Sequence, residues 1–243
     1  MMRTANPALN ASVFTPAAYQ DARMTINGTV NKAGILLILT IAGAGWTWRI
    51  FSNSENFAPW MIGGIIGGLI TAFITIFKKE LAAITAPLYA LLEGLFLGGI
   101  SAIFESRYPG IVIQAVGLTF GTLACLLMAY RSGLIKPTEN FKLGVVAATG
   151  GIAIVYFVSI IMGLFNVPIP LIHSNGIIGI GFSLFVVVIA ALNLVLDFDF
   201  IENGAQMGAP KYMEWYAAFG LMVTLIWLYV EILRLLAKLS SRR

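Results

Sequence analysis

In 243 residues only 11% are charged, 59% are hydrophobic and the mean hydropathy is +0.89. A soluble domain carries roughly a quarter charged residues, so a water-soluble globule is excluded and the chain reads as an integral membrane protein. The formal net charge of +4 comes from fifteen Lys and Arg set between apolar runs; they read as topology determinants rather than a nucleic-acid surface.

The chain opens with a polar stretch containing Pro7 and Pro16, and no apolar core directly follows Arg3. No cleavable signal peptide is therefore expected, and residues 1–32 read as a polar tail ahead of a transmembrane domain, residues 33–243. A helix crossing a hydrocarbon layer of ~30 Å needs about 20 mainly apolar residues. Seven runs qualify: 33–50, 58–77, 81–104, 111–130, 143–165, 176–196 and 212–236. The connections between them are short, which leaves no room for a soluble domain. The expected fold class is all-α, a polytopic seven-helix transmembrane bundle.

Basic residues set the expected orientation. Arg3, Arg23 and Lys32 precede the first run, Lys78 and Lys79 follow the second, Arg131, Lys136 and Lys142 follow the fourth, and Lys211 precedes the seventh. The opposite connections carry Arg49 and Arg107. This asymmetry places the amino terminus in the cytoplasm. Lys238, Arg242 and Arg243 break the pattern: either they act as a late, weak signal, or one of the last two runs does not fully cross. Small residues at four-residue spacing, Gly63/Gly67, Gly64/Gly68, Gly94/Gly98 and Gly117/Gly121, are expected to let helix backbones approach closely. Cys125, the one cysteine, is expected to serve as a small packing residue, and Pro87 to kink or loosen the third helix.

Acids inside such runs carry most of the functional information, because a carboxylate in hydrocarbon is costly. Glu93 lies about a dozen residues into the third run. It is either a protonated, hydrogen-bonded structural glutamate or an ion or proton site. Asp197, Asp199 and Glu202 close the sixth run. Asp197 and Asp199 would point about 200° apart on one continuous helix. Asp197 is therefore the candidate to face the bundle, with Asn193 one turn earlier sharing its hydrogen bonds, while Asp199 and Glu202 are expected to be solvated. Glu231 lies seventeen residues beyond Glu214, ~25 Å along a helix, with Arg234 as its expected ion-pair partner. His173 has no Cys, His or acid neighbours at ligand spacing and is not a metal site by this reading. No serine-nucleophile motif, zinc-binding helix or Walker loop is present in the sequence, so neither an enzyme nor a cofactor is expected.

Several motifs occur in a definite order: Thr25-Ile26-Asn27-Gly28-Thr29-Val30-Asn31-Lys32, Glu93-Gly94-Leu95-Phe96-Leu97-Gly98, Phe104-Glu105, Tyr108-Pro109-Gly110-Ile111 with Gln114-Ala115, and Asp197-Phe198-Asp199-Phe200-Ile201-Glu202. Together with the seven-run layout they resemble the Bax inhibitor-1 family, in a bacterial branch. The resemblance implies a bundle with the last helix near its centre and a pH-sensitive calcium leak. In that family an aspartate ending the sixth helix pairs with one on the seventh, and protonation or separation of the pair shifts the pore. The first member maps onto Asp197. The second maps onto Glu231 by its Leu-Tyr-Val-Glu wording, or onto Thr224 by distance from Asp197 and position along the helix.

The expectation is a cation or calcium leak gated by intramembrane carboxylates, with Asp197 the principal site and Glu93, Glu231 and Asp199 contributing. Calcium is the candidate transported ion, at Asp197, with no certain metal site. The partners expected are the lipid bilayer and calcium or protons, and no nucleic acid. Two competing readings are a regulatory membrane protein that binds a membrane protease or other complex through its amino-terminal tail, and a proton-coupled carrier.

Overall fold

The computed structural model describes residues 23–165, 174 and 176–242. Seven long helices follow in order: α1 Ile26–Ser52, α2 Ala58–Phe77, α3 Ala82–Arg107, α4 Ile111–Arg131, α5 Glu139–Leu164, α6 Ile177–Gln206 and α7 Met213–Ser240. All seven are long and apolar enough to cross a membrane, and no strand occurs among the described residues. His173 lies outside the described residues.

Helix boundaries follow local chemistry. Thr25 caps α1, its hydroxyl accepting from the Gly28 N–H at 3.0 Å, so the helix begins seven residues before the apolar run and includes Lys32. Thr138 caps α5 in the same way. The turn between α3 and α4 is tied by Glu105, whose carboxylate accepts from the N–H groups of Gly110 at 2.6 Å and Val112 at 3.0 Å. Gly110 has φ +85° there, a left-handed conformation that costs glycine little. The sixth helix extends ten residues past the apolar run and carries Asp197, Asp199 and Glu202 with it. Pro87 falls in the second turn of α3, and the helix continues unbroken to Arg107.

Lipid tails are as apolar as leucine, so helices associate in a bilayer through close contact rather than exclusion of water. Helix α3 shows this against α1. A Cβ placed on Gly94 would lie 2.3 Å from the Thr40 carbonyl oxygen, and one on Gly98 would lie 2.2 Å from that of Ala44. On α2, Gly64 approaches α3 equally closely, its Cβ position 2.5 Å from the Leu92 carbonyl oxygen. Gly63, Gly117 and Gly121 do not pack this way, since nothing lies within 4 Å of their Cβ positions. Cys125 is likewise exposed on the surface of α4 rather than packed.

Helix α7 is the hub. It packs against α1, α3, α4 and α6, and Ala218, Met222, Leu228 and Leu233 on it are almost completely buried. Helix α5 is the opposite: only Val145 and Ile152 are buried along it, it packs chiefly on α6, and residues such as Ile154 and Phe157 face outward.

Candidate functional site

Asp197 lies on the part of α6 that packs against the first half of α7. Its Oδ2 is buried and has no hydrogen-bond partner among the described residues, while the Thr224 hydroxyl of α7 interacts with the carboxylate. A pocket of about 190 Å³ opens beside it, lined by Phe200, Tyr216, Ala217, Phe219 and Gly220. Buried polar atoms are nearly always hydrogen-bonded, so an orphaned carboxylate oxygen at a cavity wall is a specific anomaly. Asn193 does not relieve it: its amide nitrogen donates to Thr149 Oγ1 at 2.8 Å and to the Ile189 carbonyl at 2.9 Å, turning the side chain toward α5.

The neighbouring acids diverge from Asp197 and are not simply solvated. Asp199 pairs with Lys142 at the start of α5, at 2.9 Å. Glu202 accepts from the Tyr130 hydroxyl on α4 and from Gln206. Both are held by partners that the sequence separation concealed.

Glu231 lies elsewhere. Thr224 faces Asp197, and Glu231 sits seven residues farther along α7, ~10 Å at helical rise. It is 2% exposed. Its carboxylate accepts from the Tyr156 hydroxyl at 3.0 and 3.1 Å and from Arg234 Nη1 at 3.0 Å. The expected Glu231–Arg234 ion pair is present, and of the two α7 positions considered it is Thr224 that meets Asp197.

Glu93 and Glu231 line a second cavity, of about 560 Å³, between α3, α5 and α7, with Tyr89, Tyr156, Trp227 and Arg234. Glu93 has no hydrogen-bond or ion-pair partner among the described residues. Its Oε2 lies where a side chain on Gly68 would stand, 2.7 Å from that Cβ position, so the bare α2 backbone makes room for the acid.

Sequence reasoning missed the role of Glu214. Glu214 is fully buried and accepts from the Thr25 N–H and Oγ1, both at 2.9 Å, from Lys211 at 3.1 Å and from Lys32. Met24 is buried beside it against Ile201 and Ala217, and its N–H donates to the Ala209 carbonyl at 2.7 Å. The polar Thr25–Lys32 motif was the available signal.

No group of three or more His, Cys, Asp or Glu side chains that could hold a metal occurs among the described residues. Asp197 and Thr224 offer few of the six to eight oxygens that enclose calcium, so an ion beside them would keep most of its water. The seven apolar helices and their buried acids define an integral membrane protein with ionisable groups inside the bundle. The family model described as Bax inhibitor 1 like matches residues 6–241; the chain belongs to this family of membrane proteins. A comparison with curated proteins returned no match.

Proposed function

We propose that the protein is a pH-sensitive leak for calcium or a related cation, with Asp197 as its gate, in a bacterial inner membrane with the amino terminus cytoplasmic. The observation that carries this reading is the buried Asp197 Oδ2, unpartnered at a cavity wall beside Thr224. A carboxylate held in hydrocarbon without a counter-ion is costly, and a transiting cation supplies the missing charge. Ionised, the group attracts the ion; protonated, it does not, so flux rises with pH. Family membership supports the same reading, while Thr224 removes the second carboxylate and leaves a single acid to set the response. Glu93 and Glu231, in the second cavity, would contribute to the path beyond the gate.

The test is calcium entry into liposomes containing the purified protein, at pH 6 and pH 8. The wild type is expected to pass more calcium at pH 8, and Asp197→Asn to lose both the pH dependence and most of the flux. Asn is nearly isosteric and removes an uncompensated buried charge, so the variant is expected to fold at least as stably as wild type. Flux no greater than that of empty liposomes at either pH overturns the proposal.

A further inference from the structure

The cavity between α3, α5 and α7 differs in construction from the Asp197 pocket. Its walls are aromatic as well as acidic: Tyr89, Phe96, Tyr156 and Trp227 line it with Glu93 and Glu231. One corner already holds an organic cation. The Arg234 guanidinium stands 5.5 Å from the centre of the Tyr156 ring, and its Nη1 reaches Glu231 Oε1 at 3.0 Å, so a ring face and a carboxylate grip it together.

Glu93 on α3 has the second carboxylate and no such cation. Tyr89, one turn before it, places a ring on the same face, and neither a hydrogen bond nor an ion pair engages the acid among the described residues. Glu231 is matched by the Arg234 guanidinium, which leaves Glu93 as the acid of this lining with no cation beside it among the described residues. Aromatic faces attract cations within about 6 Å of the ring centre, most strongly when water is excluded. The volume, about 560 Å³, falls in the usual range of small-molecule pockets, roughly 300–1,000 Å³. A small hydrated metal ion would leave the apolar walls unused, whereas a cation carrying apolar groups uses both features.

We propose that this cavity binds a monovalent organic cation with aromatic or bulky apolar substituents, its charge against Glu93 and its apolar groups against Phe96 and Trp227. The leak reading uses the same cavity, but the binding test reads no flux and leaves Asp197 untouched, so the two proposals fail separately.

The experiment is equilibrium binding of radiolabelled tetraphenylphosphonium to the full-length protein in lipid nanodiscs, with empty nanodiscs subtracted. Saturable binding is expected for the wild type, weakened at least about tenfold in Glu93→Gln, as loss of a desolvated charge pair would produce. Triphenylphosphine oxide, which keeps the aromatic groups and lacks the positive charge, is expected not to compete. A second variant leaves every charge in place: Ile160→Trp, at a cavity-lining position that is 66% exposed, fills the space and is expected to abolish binding. Wild-type affinity in both variants, equal competition by the neutral compound, or no saturable binding to the wild type overturns the proposal.

Discussion

Glu214 and Asp197 lie on adjacent helices near the same end of the bundle, and the protein surrounds them in opposite ways. Glu214 is enclosed by donors from three places in the chain: the Thr25 N–H and hydroxyl, Lys32 on α1 and Lys211 just before its own helix. It also sits in the first turn of α7, where a helix favours negative charge. Asp197 has a threonine hydroxyl beside it and a buried oxygen that nothing among the described residues satisfies. A chain that can assemble four donors around one acid and leaves another open is using the two differently. The first is a fastening, and the second is the acid that the proposed leak would use.

The comparison breaks most visibly at Glu214. Glu214→Gln leaves Lys32 and Lys211 facing a neutral side chain in a fully buried position and is expected to lower stability by about 3 kcal/mol, read by chemical denaturation in detergent micelles. Wild-type stability in that variant would remove the distinction drawn here. A smaller effect sharpens the Asp197 side. Thr224→Asp puts a second carboxylate opposite the first and is expected to cost about 2 kcal/mol at pH 8. At pH 5 a shared proton relieves the repulsion, so the deficit of the variant relative to the wild type should shrink as pH falls. Least affected should be Asp199→Asn, because the Lys142 pair is partly exposed and such pairs contribute little; no change in stability beyond measurement error is expected.

Much of the fold was legible because membrane crossing imposes a length and a composition together. The errors fall where polar residues sit inside helices. Asn27, Asn31 and Lys32 resemble a solvated tail, yet they are helical because Thr25 caps them and Glu214 receives the lysine. The acids from Asp197 to Glu202 resemble an exit from the membrane, yet α6 continues because Lys142 and Tyr130 meet two of them from α5 and α4. Asp197 and Glu93 stood out in the sequence because charge in an apolar run always does. Their surroundings did not, since the choice between Thr224 and Glu231 depends on how the loop between α6 and α7 sets the register of the two helices. The glycines show the same limit: four-residue spacing on α3 and on α4 is identical on paper, and only α3 has a neighbouring backbone to receive it.

The fastening at Glu214 also constrains how the protein is made. Synthesis proceeds from the amino end, and Lys32 enters the nascent bundle 182 residues before its partner exists. Until Glu214 emerges, that lysine stands at the edge of the first crossing without an acid, and the space at the centre waits for α7. Assembly of the core is therefore a late event, completed only after the last helix has been inserted between neighbours already in the bilayer.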